Sequence, residues 1–270
     1  MYRRFGSEVT VIELAPRLIP REDEDVSHAV AGFLEEAIDV RVNSKVVGVE
    51  KLGNSIAVKV ESAGMISQVI GTHVLVAIGR RPNTDDLGLE KAGIATNARG
   101  YIKVDDQLRT NVPGVWAMGD CHGRGAFTHT SWNDFEIVAA NVLDNDHKLS
   151  DRITAYALYT DPPLGRAGMT EGEVRKTGRP ALIATMPMGN VSRAYEKGET
   201  KGFMKILVDQ DSKQILGASL LGLAGDEVIH CILDLMYAKA PYTAMQRAMQ
   251  IHPAVSEFIP TMMGNLKPLQ

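Results

Sequence analysis

The segment that decides the fold is Thr110-Asn111-Val112-Pro113-Gly114-Val115-Trp116-Ala117-Met118-Gly119-Asp120. Pro113-Gly114 is typical of a turn, and the apolar run from Val115 to Met118 has the length of a buried strand. Gly119 and Asp120 would end that strand and leave a carboxylate at its C-terminal end. Ligands of open α/β sheets bind in the crevice outside the carboxyl ends of the strands. The segment therefore predicts a ligand site at Asp120, and the alternative is a loop aspartate that caps the next turn.

The composition is that of an ordinary globular protein, with 270 residues, 44% hydrophobic and 23% charged, and a net charge of −4. This charge offers no basic surface for nucleic acid, and no apolar run approaches the ~20 residues of a membrane helix. We therefore expect neither nucleic acid nor a membrane as a partner, and the sequence indicates no metal site. Cys121 and Cys231 are too few for a disulfide framework. We expect a cytoplasmic protein in which both are small buried hydrophobic side chains.

The N-terminal residues have the pattern of part of a nucleotide-binding unit. The β-branched stretch from Glu8 to Glu13 reads as a strand that ends in a carboxylate. In a dinucleotide-binding βαβ unit, an acidic residue at this position accepts the adenosine ribose hydroxyls. The G-x-G-x-x-G motif that should open such a unit does not occur in the sequence, so Glu13 has a plain alternative as a solvated strand-end charge. A helix over 26–37 is expected next, followed by a meander of strands at 39–42, 45–51 and 56–61.

The middle of the chain predicts two further strands and a helix. The apolar run 74–78 is expected to be a buried strand that leads into a turn at Gly79, where the missing side chain lets backbone approach a ligand. Residues 101–105 alternate like a strand. A helix is expected to begin at Phe127-Thr128-His129 and to run to about Leu143. Its N-terminus would stabilise a nearby anion through the helix dipole, or His129 would only bond locally.

From about residue 155 the pattern changes to α+β. Thr170 predicts an N-cap, with Glu173 completing a capping box. Strands are expected at 181–187, 202–209 and 215–221, with a hairpin turn at 211–213, then an apolar helix over 225–239 and a short helix after Pro241.

The string His252-Pro253-Ala254-Val255-Ser256-Glu257 carries the second chemical signal. The five-residue spacing allows Glu257 to orient one ring nitrogen of His252 while the other faces outward. A lone His-Pro is otherwise usually structural.

Together these segments resemble the pyridine nucleotide-disulfide oxidoreductases, the group of dihydrolipoamide dehydrogenase, mercuric reductase and glutathione reductase. The resemblance runs in order from about residue 3 to about residue 260 and rests on residues 5–25, 79–83, 110–120, 161–171 and 252–257. It implies an α/β plus α+β fold, in which partial FAD- and NAD-binding Rossmann-like domains precede an α+β dimerisation domain. The implied bounds are 1–80 for the partial NAD-binding domain, 81–150 for the C-terminal part of the FAD-binding domain and 151–270 for the dimerisation domain.

The resemblance also implies the flavin contacts. Asp120, next to Gly119, would bind the ribityl chain of FAD. Phe127, Thr128 and His129 stand where most relatives have an alanine-histidine-lysine stretch that begins a helix beneath the flavin.

The remaining implied roles concern NAD and the acid/base chemistry. Glu13 would bind NAD and disfavour a 2′-phosphate, and Gly79 would border the NAD site. His252 and Glu257 would be the acid/base pair for thiol chemistry on the flavin of the partner subunit, in a homodimer formed through residues 151–270. The second histidine that the family usually has two residues earlier is Gln250 here.

Three motifs of the family are missing from the sequence: the N-terminal FAD fingerprint, the redox-active C-x4-C pair and the NAD glycine motif. We therefore expect the C-terminal portion of a parent enzyme that passes hydride from NADH to FAD and electrons to a thiol, disulfide or metal acceptor. The fragment itself is expected to be inactive and to bind FAD weakly or not at all. The alternative is a non-catalytic dimerisation module. A complete single-nucleotide-binding protein is disfavoured by the missing glycine loop.

Overall fold

The computed structural model describes residues 1–143 and 146–269. The chain divides into two compact units. The first unit comprises Met1–Val74 and Ile153–Gln270, and the second comprises Leu75–Arg152.

The first unit begins with one parallel strand pair. A 3-10 turn at Tyr2–Phe5 ends at Gly6, whose φ of 92° is left-handed. Strand β1 (Thr10–Ile12), helix α1 (Glu24–Glu35) and strand β2 (Asp39–Arg41) follow, and β1 pairs with β2 in parallel. A helical crossover between parallel strands is the βαβ arrangement of nucleotide-binding folds. A strand and a helix are present where the sequence predicts them at 8–13 and 26–37, although β1 has only three residues and ends before Glu13. The strand predicted at 39–42 pairs with β1 and does not join the meander.

The second sheet of the first unit is an antiparallel meander of β3 (Lys45–Leu52), β4 (Ser55–Ser62) and β5 (Met65–Gly71). The central strand β4 buries three apolar side chains, Ala57, Val58 and Val60, whereas the outer strands β3 and β5 are mostly exposed. The sequence predicted β3 and β4 but placed the 39–42 strand in the same meander and missed β5.

The prediction of a buried strand at 74–78 is wrong. These residues, all within the described ranges, form no strand, and Ile78 is 92% exposed. An apolar strand of this kind needs hydrogen-bonded neighbours and a cover on both faces. The parallel sheet seen in the described residues consists of β1 and β2, which pair with each other.

The second unit is built around turns and one long helix, α2 (Thr128–Val142), which follows a 3-10 turn at Gly119–His122. The strands predicted at 101–105 and 115–118 are reduced to single bridges, Thr96 to Ile102 and Arg109 to Trp116. The cause is the turn between them. The carboxylate of Asp105 accepts hydrogen bonds from two backbone amides of that turn, which folds the chain back before a ladder can extend.

The largest part of the first unit is an antiparallel sheet together with the helices between and after its strands. It contains, in chain order, β6 (Ala155–Leu158), β7 (Leu164–Gly168), α3 (Glu171–Thr177), β8 (Ala181–Pro187), α4 (Ser192–Lys197), β9 (Phe203–Asp209), β10 (Ile215–Leu221), α5 (Gly225–Tyr237), α6 (Thr243–Gln246), α7 (Phe258–Met263) and β11 (Lys267–Pro268). The spatial order of its strands is β11-β8-β9-β10-β7-β6. The capping box of Thr170 and Glu173 is present. The sequence predicted three strands where the described residues form six.

The main hydrophobic core lies between this sheet and the helices α5 and α7. Ile206 and Leu220 of the sheet pack with Ile232 of α5 and Ile259 of α7, all fully buried. Helix α5 approaches the sheet closely because β7 offers a glycine. A Cβ on Gly165 would lie 2.1 Å from the carbonyl oxygen of Gly225.

A buried charge cluster, defined here as Glu22, Asp23, Arg166, Lys205 and Ser219, lies on another part of the first unit. Arg166, Ser219 and Lys205 stand opposite one another on the neighbouring strands β7, β10 and β9. Lys205 Nζ lies 3.0 Å from Asp23 Oδ2, and Arg166 Nη1 lies 3.5 Å from the same oxygen. The cluster borders an open cavity of about 950 Å³.

The two cysteines differ in environment. Cys121 is partly buried and Cys231 is exposed on α5, so the prediction that both are buried is wrong for Cys231. The apolar spacing of α5 placed its buried face on Ile229 and Ile232, and Cys231 falls on the opposite face. Neither cysteine forms a disulfide.

Candidate functional site

The segment at Asp120 forms a tight turn. Gly119 has a φ of 78°, a left-handed conformation that favours glycine, and a Cβ there would lie 3.0 Å from Ser131 Oγ. The carboxylate of Asp120 is partly exposed, and its Oδ2 lies 3.3 Å from Arg80 Nη2. Because Arg80 follows Gly79, this ion pair joins the Gly79 turn to the Asp120 turn within the second unit. Both side chains are exposed, so the pair contributes little energy.

A buried polar network lies directly beneath the Asp120 turn. Asp134 of α2 accepts hydrogen bonds at Oδ2 from the Gly119 amide and from His122 Nε2, each at 2.7 Å. Its Oδ1 accepts a hydrogen bond from Arg152. Burial raises the pKa of Asp134, but the hydrogen bonds from His122, Arg152 and Gly119 outweigh it and hold this pKa below its ordinary value. Asp134 is therefore a carboxylate at neutral pH.

The start of α2 matches the predicted position. Phe127 is the N-cap residue, and Thr130 bonds to both its amide (3.1 Å) and its carbonyl oxygen (2.8 Å). The rings of Phe127 and His129 stack with centroids 5.1 Å apart. The first turn of α2, which begins at Thr128, contains no acidic residue, so the positive end of the helix dipole is uncompensated by a carboxylate there.

These residues fit one part of a flavin nucleotide. Asp120 offers a partly exposed acceptor for hydroxyl groups, and the start of α2 offers the positive end of a 15-residue helix. The glycine-rich loop that would cradle the phosphates does not occur in the sequence. The chain therefore fits the ribityl and ring portions of FAD and not its diphosphate.

Glu13 and Gly79, the residues predicted for NAD, fall in the first and second units respectively. Glu13 follows β1, and its Oε1 accepts a hydrogen bond from the Ala15 amide at 2.8 Å. One carboxylate oxygen thus closes a local turn. Gly79 has a φ of 127°, a backbone conformation suited to glycine.

His252 and Glu257 form the predicted contact. Nδ1 of His252 lies 3.1 Å from both carboxylate oxygens of Glu257. The amide of Ala254 also donates to Glu257 Oε1, at 3.3 Å. The Glu257 side chain is only 14% exposed, whereas that of His252 is 70% exposed. A mostly buried carboxylate thus fixes one ring nitrogen, and Nε2 is the nitrogen left for a proton acceptor role.

His, Cys, Asp and Glu side chains within 1–143 and 146–269 form no group of three or more that could hold a metal ion. Every helix in those ranges falls short of the length and apolar character that spanning a membrane requires.

Several site residues escaped the sequence analysis. His122 and Asp134 are 12 positions apart and Arg152 lies 18 further on, so no local spacing signals their contact. Arg80 was noted only as part of a turn motif. The thiol of Cys121, next to Asp120, has its pKa raised by burial and by the charges of Asp134 and Asp120, so it is a poor nucleophile.

A βαβ unit near the N-terminus and a six-stranded antiparallel sheet with helices define an α/β plus α+β protein. Residues 1–134 match the sequence model described as pyridine nucleotide-disulphide oxidoreductase. Residues 154–263 match the model described as pyridine nucleotide-disulphide oxidoreductase, dimerisation domain. The chain belongs to the pyridine nucleotide-disulphide oxidoreductase family, and the predicted family and fold class are confirmed.

The chain is similar to characterised members. It is 36% identical over 260 residues to the probable pyridine nucleotide-disulfide oxidoreductase RclA of Escherichia coli strain K12, with 95% of the chain and 58% of that protein covered. It is 33% identical over 260 residues to a dihydrolipoyl dehydrogenase of Thermus scotoductus, covering 95% of the chain and 56% of that protein. A solved Cu(II) complex of HOCl-induced flavoprotein disulfide reductase RclA from Escherichia coli matches with a TM-score of 0.91 at 34% identity, over 98% of the chain and 61% of that structure. The chain thus spans somewhat more than half the length of these relatives.

Proposed function

We propose that the chain is the C-terminal portion of an NADH-dependent flavin oxidoreductase that delivers electrons to a thiol, disulfide or metal acceptor. The observation that carries the proposal is the His252–Glu257 pair, an exposed imidazole held by a mostly buried carboxylate. When bound, FAD would supply the two-electron chemistry that links a nicotinamide hydride to the acceptor. The Escherichia coli relative is a flavoprotein disulfide reductase that was solved as a Cu(II) complex, which supports disulfides and copper as acceptor candidates.

His252 would act as the acid/base of the acceptor step. Attack on a disulfide requires a thiolate, and a thiolate forms when a nearby base takes the thiol proton. Glu257 bonds to Nδ1 of His252, so Nε2 would take that proton and later return it. This chain has no C-x4-C pair, so the thiol would come from elsewhere in the assembled enzyme.

The pair would act across a homodimer formed through residues 151–270. The match of residues 154–263 to a dimerisation domain supports this assembly. Light scattering should give twice the chain mass, and a monomer at micromolar concentration would contradict the proposal. The unpaired state of both cysteines supports a cytoplasmic location.

The cofactor contacts belong to the same proposal. Asp120 and Gly119 would contact the ribityl chain, and Phe127, Thr128 and His129 would place the start of α2 beneath the flavin. Glu13 would accept the ribose hydroxyls of NAD and disfavour NADPH through its charge. Gly79 is proposed as an NAD-site residue of the second unit. Domain bounds at 1–80, 81–150 and 151–270 remain proposals.

The test separates the two half-reactions of the complete flavoprotein by stopped flow. His252→Ala should slow flavin reoxidation by the acceptor by about 10²–10⁴-fold, the usual contribution of a positioned acid/base, and should leave flavin reduction by NADH unchanged. Glu257→Gln should give an intermediate reoxidation rate, because it keeps a hydrogen bond to Nδ1 of His252 but loses the negative charge beside the ring. His28→Ala is the matched control, since His28 is an exposed histidine of α1. Equal slowing of both half-reactions, or none, would contradict the proposal.

A non-catalytic dimerisation module is the second candidate. It is favoured by the missing glycine loops and cysteine pair and by the main core, which lies in the dimerisation-domain match. A visible spectrum distinguishes the two, because a bound-flavin band in the complete protein is expected only for the oxidoreductase.

A further inference from the structure

The buried network around Asp134 is organised toward the backbone of one turn. Three donors converge on this carboxylate: the Gly119 amide, His122 and Arg152. The His122 and Asp134 side chains are almost completely buried. The Gly119 amide belongs to the residue immediately before Asp120, so the network is tied to the backbone of the Asp120 turn.

Each donor is itself held in place. Nδ1 of His122 accepts a hydrogen bond from the Arg124 amide at 3.2 Å, so the ring proton lies on Nε2 and points at Asp134. Arg152 donates through Nε to Asn133 Oδ1 at 2.7 Å and through Nη2 to the Thr130 carbonyl oxygen at 3.3 Å. The carboxylate therefore has one orientation in which all three donors are satisfied.

The Gly119 amide donates to Asp134 Oδ2 at 2.7 Å, and residue 119 has a left-handed φ of 78°. The chain leaves this residue in a turn, and the next side chain, Asp120, is partly exposed. Asp134 thus holds the backbone immediately before Asp120.

We infer that Asp134, oriented by His122 and Arg152, is a positioning residue for flavin binding that sets the Asp120 carboxylate against the ribityl hydroxyls. The inference rests on the proposed function, because it deepens the role proposed for Asp120. Asp134 contacts no flavin atom in this scheme and acts only through the Gly119 backbone.

The first test measures flavin affinity in the complete protein after removal of FAD. Asp134→Asn keeps the size of the side chain but offers one acceptor oxygen and one donor group, so it cannot accept all three hydrogen bonds. We expect the Kd for FAD to rise about tenfold, which corresponds to about 1.4 kcal/mol. The Kd for lumiflavin, which has the ring system without the ribityl chain, should stay within about twofold of wild type. Asp86→Asn is the matched control, because it makes the same substitution at an exposed position of the second unit and should change neither affinity.

Equal weakening of FAD and lumiflavin would overturn the inference, because it would indicate a general loss of structure. Unchanged FAD affinity in Asp134→Asn would also overturn it. Asp120→Asn separates this failure from failure of the proposed function. If Asp120→Asn leaves FAD affinity unchanged, the ribityl role of Asp120 is wrong. If Asp120→Asn weakens FAD and a folded Asp134→Asn does not, only the positioning role is wrong.

A second measurement needs no flavin. Hydrogen exchange of the Gly119 amide in the 270-residue chain should be slow in wild type and clearly faster in Asp134→Asn, because its acceptor is weakened. Asp134→Glu, which keeps the buried charge for His122 and Arg152, serves as the second variant if Asp134→Asn does not fold. A folded variant with faster exchange of the Gly119 amide should also have a higher Kd for FAD and an unchanged Kd for lumiflavin. A folded variant with faster exchange and an unchanged Kd for FAD would refute the inference.

Discussion

Replacing Lys205 with methionine is expected to destabilise the first unit strongly. The Lys205 side chain is 1% exposed, and its Nζ lies 2.8 Å from Asp25 Oδ1, 3.0 Å from Asp23 Oδ2 and 3.4 Å from Glu171 Oε2. Methionine fills the space of the aliphatic stem but removes the ammonium group from these carboxylates. The cost then comes mainly from Asp23, which stays buried and keeps only the longer contact with Arg166 at 3.5 Å.

The magnitude follows from how many of these carboxylates can reach water. Removing one partner of a buried ion pair costs about 3–5 kcal/mol. Asp25 is 45% exposed and can turn to solvent, whereas Asp23 is buried and cannot. We therefore expect the lower end, about 3 kcal/mol, which for a unit of this size lowers Tm by roughly 6–12 °C. Urea unfolding followed by far-UV circular dichroism measures the free energy directly.

Lys201→Met is the matched control. Lys201 pairs with Glu36 at the surface, where both side chains are about half exposed, and a surface pair of this kind contributes at most about 1 kcal/mol. If Lys205→Met were no more destabilising than Lys201→Met, the buried cluster would not support the fold. Adding Asp23→Asn to Lys205→Met should recover part of the loss, because it removes a buried charge that has lost its shorter ion pair.

Three further outcomes are expected. Burial raises the pKa of Asp23, but the charge and hydrogen bond of Lys205 outweigh it and hold this pKa below its ordinary value of 3.8. A carboxyl with a lowered folded pKa stabilises above its unfolded pKa, so this stability is lost as pH falls below about 4, and Asp23→Asn should flatten the acid limb of a pH–stability curve. Gly165→Ala should cost about 3 kcal/mol by overpacking, since its Cβ would lie 2.1 Å from the Gly225 oxygen, whereas Gly189→Ala, with open space around it, should be nearly neutral in urea titrations. The 270-residue chain alone should elute from gel filtration with little or no FAD, because no phosphate-binding glycine loop is present, and a stoichiometric yellow complex would contradict this.

The sequence predicted the dimerisation domain better than the rest of the fold. The bounds of β8 and β10 match the predicted 181–187 and 215–221 residue for residue, because each strand carries its own apolar pattern and pairs with a near neighbour. Strand β11 was missed because it has only two residues and pairs with β8, more than 80 positions earlier. The prediction of a strand at 74–78 was wrong for a different reason. The apolar run is present in the sequence, but a strand forms only where partner strands exist.

The contacts of the candidate site also differ in how far they can be predicted from the sequence. The His252–Glu257 contact could be predicted because both residues lie within one short loop and helix start. The Asp134 network could not, because His122, Asp134 and Arg152 meet only after α2 folds back under the Gly119 turn. Nothing in the apolar pattern of α2 distinguishes Asp134 from a solvent-facing residue, and its burial is a tertiary property.

The exposed outer strands of the β3–β4–β5 meander have a consequence for colloidal behaviour. Val47, Val49 and Leu52 on β3 and Ile66 and Ile70 on β5 are exposed, and the outer strands of an open sheet are templates for pairing with other chains. β3 also carries the charged residues Lys45, Glu50 and Lys51, whose charges oppose such pairing. Raising the ionic strength screens those charges. The chain should therefore precipitate more readily in high salt, and its shelf life at high concentration should depend on the buffer rather than on its melting temperature.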